Sequence, residues 1–192
     1  MTESDAGLRA RLIDVGAELL AAEGPQALTL REIARRAGVS HGAPRRYFPT
    51  HLELLSAIAR RGFTDLGERV RAVLAREASA GPRDRVAALA RTYLDFALGS
   101  PGMYELMFRH DILESGHLGL RETSLPLFGV LVELVGEVRP EGDARRVAGA
   151  LWANLHGAAQ LWRWRSLQLA LGEKDFAPLV ETVLLAHLGR DR

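Results

Sequence analysis

Between its proline and glycine breaks, this chain repeats apolar residues at intervals of three and four and does not alternate them in twos. Leu8, Leu12, Val15 and Leu19 form one such series, and Val86, Leu89, Tyr93 and Ala97 form another. A stripe of that period lies on one face of an α-helix, and no segment carries the sustained Val, Ile, Thr and aromatic alternation of a strand. The expected fold is all-α. Nine helices are expected. The first spans residues 5–23 and stops at Gly24-Pro25. The second runs from Leu30 to Ala37, the third over 41–47, the fourth over 50–78, and the fifth follows Gly81-Pro82. Ser100-Pro101 opens the sixth, since serine caps and proline suits the first helical position. Residues 109–117 read as an irregular link. The seventh covers 118–138 with a break or bend near Pro126, the eighth 144–171 and the ninth 176–188.

At 192 residues the chain can bury a sizeable core as one domain or two small ones. It has no cysteine, so disulfides, thiolate zinc sites and cysteine nucleophiles are excluded. Met1-Thr2-Glu3-Ser4-Asp5 is acidic and polar, unlike a secretory signal. The longest mostly apolar uncharged stretch, 147–162, is 16 residues and contains Asn154, His156 and Gln160. A span needs about 20 apolar residues. A cytoplasmic protein without a membrane partner is the expectation.

Net charge is only +1, but it is unevenly spread. Residues 25–64 hold Arg31, Arg35, Arg36, Arg45, Arg46, Arg60 and Arg61 against Glu32 and Glu53 alone. Such a basic window is a footprint for phosphate, or else a solvated arginine-rich face.

The same window contains a helix–turn–helix pattern. Thr29 and Glu32 have the spacing of a capping box, with Leu28 and Ile33 as the accompanying hydrophobic staple. Gly38 supplies a turn without a side-chain clash, and Ala34 a small residue where two helices cross. Ser40 is placed to cap the third helix. Ile33, Val39 and Phe48 face inward. His41, Gly42, Ala43, Arg45, Arg46 and Tyr47 are left for the second helix of the unit, the one that enters a major groove. Thr29 and Ser40, at helix starts, also suit a phosphate. Pro44 removes a backbone donor and disfavours helical geometry at Ala43, so the third helix is expected to start late.

The stretch Leu28-Thr29-Leu30-Arg31-Glu32-Ile33-Ala34-Arg35-Arg36-Ala37-Gly38-Val39-Ser40, continued by Phe48-Pro49 and Leu52-Glu53-Leu54-Leu55, resembles the TetR family of transcriptional regulators. Trp152-Ala153-Asn154-Leu155-His156-Gly157 resembles the W…HG signature of one C-terminal subgroup of that family, and residues 100–108 fit the same subgroup. The resemblance implies a DNA-binding head over 1–50 and a helical ligand-binding and dimerisation body over 51–192. It further implies a regulator, in most cases a repressor, released from a palindromic operator on double-stranded DNA by a small-molecule effector. Arg45 stands where the family often has an aromatic, and His51 where it commonly has a lysine against DNA. These departures keep a second reading open: a helical ligand-binding protein whose head no longer reads DNA.

For the effector, the candidates are Tyr93, Phe96, Tyr104, Met107, Phe108, Trp152 and Trp162, with His156 and Gln160 as polar handles on one helix face; the alternative is plain core. For the homodimer interface, Gly149, Ala153 and Gly157 recur every four residues, and Val180 and Leu184 are added from the last helix. His110, Asp111, Glu114 and His117 lie within eight residues, and in a helix positions 110, 114 and 117 would share a face, but Gly116 puts them in a link, so no metal is expected. No cofactor is implied. No G-x-S-x-G elbow, P-loop or HExxH sequence is present, so no enzyme is expected.

Overall fold

The computed structural model describes residues 3–109, 111–112 and 119–189. Within them lie nine α-helices, two short 3-10 turns and no strand. The helices are α1 (Glu3–Glu23), α2 (Leu30–Arg36), α3 (His51–Arg76), α4 (Pro82–Gly99) and α5 (Pro101–Met107), then α6 (Leu120–Val138), α7 (Ala144–Arg163), α8 (Ser166–Leu171) and α9 (Ala177–Leu188). None of them is long and apolar enough to cross a membrane.

The count of nine matches the expectation, but two of its members differ. The third expected helix is a 3-10 turn, Ala43–Arg46. Pro44 has no N–H to give to the Ser40 carbonyl; the Ala43 N–H takes that acceptor instead, at 3.0 Å, and the tighter turn follows. Its N-cap position falls on Gly42, not on Ser40. The eighth expected helix is two. Arg165, with a left-handed φ of 63°, separates α7 from α8. By contrast, Pro126 lies inside α6 without ending it.

By compactness the chain forms two units, Met1–Asp65 with Ser100–Ser124, and Leu66–Gly99 with Leu125–Arg192. The first unit therefore extends beyond the expected head. In it α1 packs on α2 and α5. Leu12, Leu19, Ile33, Phe48, Leu54, Ile58, Tyr104, Leu106 and Met107 are its buried side chains of largest consequence. Gly16 is a close-approach point: a Cβ there would stand 2.5 Å from Ile58 Cδ1 and 3.1 Å from its Cγ1, so a larger residue would make the Ile58 side chain of α3 move aside. In the second unit α4, α7 and α9 pack together. They bury Val86, Ala90, Phe96, Leu151, Leu155, Val183 and Leu184. Helix α3 passes through both units, with 51–65 in the first and 66–76 in the second.

Candidate nucleic-acid interface

The helix–turn–helix is built by its ends. Thr29 Oγ1 accepts from the Glu32 N–H at 3.2 Å, which satisfies one orphan donor of α2. The capping box is only half formed. The Thr29 N–H donates to the Ala27 carbonyl at 2.8 Å, and the Glu32 carboxylate turns to arginines instead. Leu28 and Ile33 are both buried, as a staple requires. Gly38, at φ 66°, closes α2 as a Schellman motif: Val39 N–H donates to the Ala34 carbonyl at 3.0 Å, and Gly38 N–H to that of Arg35 at 3.2 Å.

The chain then presents the turn over residues 41–47. Pro44 and Phe48 are buried and fasten it. The N–H groups of Tyr47 and Phe48 both donate to the Pro44 carbonyl, at 3.0 and 2.8 Å. Ser40, His41, Gly42, Arg45 and Arg46 are exposed, while Ala43 and Tyr47 are half-buried. Neither Arg45 nor Arg46 forms an ion pair among the described residues, and nor does Arg31 on α2.

The remaining arginines of the window are largely committed. Arg35 grips Glu32 with two N–H groups, at 2.8 and 2.6 Å; Arg36 reaches Glu32 at 2.8 Å and also pairs with Glu23. The Arg35 and then the Arg36 hydrogen bonds push the Glu32 carboxyl down to about 2. Arg61 joins Asp14 at 3.0 Å and Asp65 at 2.9 Å. The uncommitted positive charge of the window thus contracts to Arg31, Arg45, Arg46 and Arg60. His51 is the other correction. Its Nε2–H donates to the Leu28 carbonyl at 2.6 Å, so this exposed ring ties the start of α3 to the loop before α2 through one of its two nitrogens.

The expected effector residues divide between the units. Tyr104, Met107 and Phe108 pack in the first, where Phe108 meets Phe63 and Tyr104 edge-on at 5.7 and 5.1 Å. In the second, the Trp152 indole N–H donates to the Tyr93 hydroxyl at 3.3 Å, and that hydroxyl lies 2.8 Å from His156 Nδ1. A hydroxyl that accepts from the indole can donate its own proton to a neutral imidazole. Burial lowers the His156 pKa and favours that neutral form. Phe96 is core, beneath the Arg69 guanidinium. Gln160 accepts from Arg163, and Trp162 stacks edge-on against Phe176 at 4.8 Å, so neither joins the Tyr93–His156 group.

That group makes a pH prediction. The unfolded imidazole takes up a proton near its ordinary 6.5, whereas the folded one resists it to lower pH. Its contribution to stability is complete above 6.5 and is lost as pH falls through the interval below. Urea midpoints from pH 8 to 5 should decline more steeply for the natural protein than for His156→Gln; parallel curves would refute the burial argument.

On the expected dimer face, Ala153 is exposed and a Cβ on Gly157 would meet nothing within 4 Å. Gly149 is half-buried beside Phe128. Val180 and Leu184 are corrections: at 3% and 1% exposure they fill the protomer's own core. The outer surface instead carries Leu161, Trp164 and, on α9, Leu185, with Trp164 68% exposed. Leu161 continues the four-residue spacing of Gly149, Ala153 and Gly157, which was the available sequence signal, and Trp164 follows three residues on. Among the described residues no set of three His, Asp or Glu side chains is placed to hold a metal. Asp111 pairs with Arg109, and His110, Glu114 and His117 lie outside the described residues.

Comparison with known proteins bears on this architecture. Residues 12–58 match the family described as bacterial regulatory proteins, tetR family. Residues 86–186 match the tetracyclin repressor-like C-terminal domain. The chain is 41% identical over 83 residues to the HTH-type transcriptional regulator BetI of Rhizobium meliloti (strain 1021), a match spanning 43% of this chain and 40% of BetI. A solved protein of unknown function from Rhodococcus sp. RHA1 has 32% identity and a TM-score of 0.77, over 93% of this chain and 90% of that one. A TetR-family transcriptional regulator from Streptomyces coelicolor has 25% identity and a TM-score of 0.68, over 97% and 98%. With both its head and most of its body matched, the chain belongs to the TetR family of bacterial DNA-binding transcriptional regulators.

Proposed function

We propose that this chain is a homodimeric cytoplasmic repressor. Its paired heads, residues 1–50, would seat the 41–47 turn in major grooves of a palindromic operator, and a small molecule bound in the body would release them. The observation that carries the DNA reading is the pair Arg45 and Arg46, exposed and unpaired among the described residues on a turn held from beneath by Pro44 and Phe48. Adjacent guanidiniums on a fixed turn can address phosphate and a guanine edge. Thr29, Ser40, His41, Gly42 and Tyr47 flank them. Two-fold symmetry of the protein would be mirrored in the half-sites.

The second copy would cover Ala150, Ala153, Gly157 and Leu161 of α7 and Trp164 just past its end, with Leu185 of α9. The effector would meet Tyr93, Trp152 and His156, whose linked donors and acceptors suit a largely apolar molecule bearing a polar group. Release follows if the effector binds the non-DNA geometry more tightly, with α3 as the element common to both units.

Fluorescence anisotropy with duplexes tiled across the promoter beside the gene, in excess competitor and at several salt concentrations, tests this. Saturable binding to one palindromic fragment by a dimer is expected. No preference there and none in a genome-wide selection would replace the repressor reading with that of a ligand-binding protein.

A further inference from the structure

Helix α2 carries three exposed arginines, yet they are not equivalent. Arg31 forms no ion pair among the described residues. Arg35 and Arg36 both close on Glu32, through contacts at 2.6, 2.8 and 2.8 Å, and Arg36 extends to Glu23 at the end of α1. The four groups sum to zero charge. An isolated exposed ion pair is weak, but a bidentate arginine–carboxylate pair inside a network is the exception. Glu32 is well placed to hold both partners: it lies three residues before Arg35 and four before Arg36, on the same helix face. Its carboxylate is also kept from its usual partner, the Thr29 N–H, which is already bonded to Ala27.

We infer that Glu32 sets the head's selectivity for its operator by withholding Arg35 and Arg36 from the DNA backbone, so that sequence-blind attraction is held down while Arg31, Arg45 and Arg46 remain available. This rests on the DNA-binding reading and deepens it. Sequence-independent affinity is supplied almost entirely by phosphate neutralisation, and each neutralised phosphate adds about 0.9 to the salt slope of the binding constant. More mobile arginines beside the 41–47 turn, Arg35 freed outright and Arg36 held by Glu23 alone, would raise affinity for every duplex. They would leave base contacts unchanged, so the ratio of operator to random binding would fall.

The test compares salt titrations of an operator duplex and a random duplex for the natural protein, Glu32→Gln, Arg35→Gln/Arg36→Gln and the triple variant. For Glu32→Gln the slope on random DNA should steepen by about 1 per protomer, since Arg36 keeps Glu23, with random binding tightened on the order of tenfold near 0.1 M salt. The operator-to-random ratio should drop. Arg35→Gln/Arg36→Gln should keep the natural slope, and the triple variant should return to it. A helix-stabilising role alone would not move slope or ratio. Should Glu32→Gln lose helicity, the double arginine variant still decides. A slope reduced by about 1 or more per protomer in that variant would mean the arginines already contact phosphate, and would overturn the inference. Unchanged random binding by a folded Glu32→Gln would do the same. Failure of the natural protein to bind any duplex at low salt would remove the DNA reading itself, and this inference with it.

Discussion

The Arg45→Ala/Arg46→Ala double variant is expected to lose specific operator binding while melting at the natural temperature. Both side chains are exposed and form no ion pair among the described residues, so their removal strips no intramolecular partner. The turn that carries them is held by buried Pro44 and Phe48 and by two backbone bonds to the Pro44 carbonyl. A bidentate base contact is worth about 1–3 kcal/mol, and a phosphate contact about 0.9 of salt slope. Two losses in each half-site amount to roughly 2–6 kcal/mol per protomer, or about 30-fold to more than 10⁴-fold. Single variants separate the roles. An arginine on phosphate weakens all duplexes alike and flattens the salt slope, whereas one on a base edge relaxes selectivity at a single position. Unchanged operator binding by the double variant would place the reading surface elsewhere on the molecule.

The helix–turn–helix was largely legible because its signals are local. Thr29 as a cap, Gly38 as a stop and Ser100-Pro101 as a start each depend on a few adjacent residues, and each stands where expected. Pro44 was legible as a disturbance but not in its extent: delaying a helix and converting it to a 3-10 turn differ only in which donor reaches the Ser40 carbonyl. The Arg165 break was invisible, since a left-handed arginine leaves no mark in the residue pattern. What no local pattern could give was the pairing of charges. Arg61 meets Asp14 across 47 positions of sequence, and Arg36 meets Glu23 across 13. Counting arginines therefore overstated the free positive charge of the head.

The body shows the same limit from the apolar side. Tyr93, Trp152 and His156 do come together, but a stripe of small and aromatic residues does not say which face is inward. Val180 lies three positions before Val183 and four before Leu184, and all three belong to the core, while Leu185, one step on, is outside. Aromatic spacing likewise could not assign Tyr104, Met107 and Phe108 to the first unit, because α5 follows α4 in sequence with only Ser100 between them.

Phe48→Ala should be the most damaging single change to the head, and by a route unlike that of the arginines. Phe48 is 1% exposed, its N–H closes the 43–46 turn on the Pro44 carbonyl, and the Arg9 guanidinium lies over its ring at 5.2 Å. Truncating a buried phenylalanine costs about 3–5 kcal/mol, from lost burial and the cavity left behind. Whole domains are stable by only about 5–15 kcal/mol, so much of the first unit's margin would go. Operator affinity then falls in proportion to the fraction of heads still folded, and a lowered melting temperature accompanies it. Phe48→Leu keeps most of the volume and should cost under about 1.5 kcal/mol, retaining binding. Arg9→Ala removes only the cation above the ring, worth about 0.5–1 kcal/mol at an exposed site. The three variants should therefore rank in melting temperature and in DNA binding alike, whereas the arginine double variant should change binding alone. If Phe48→Ala melted with the natural protein, the anchor of the turn would have to be Pro44 and the backbone bonds without the ring.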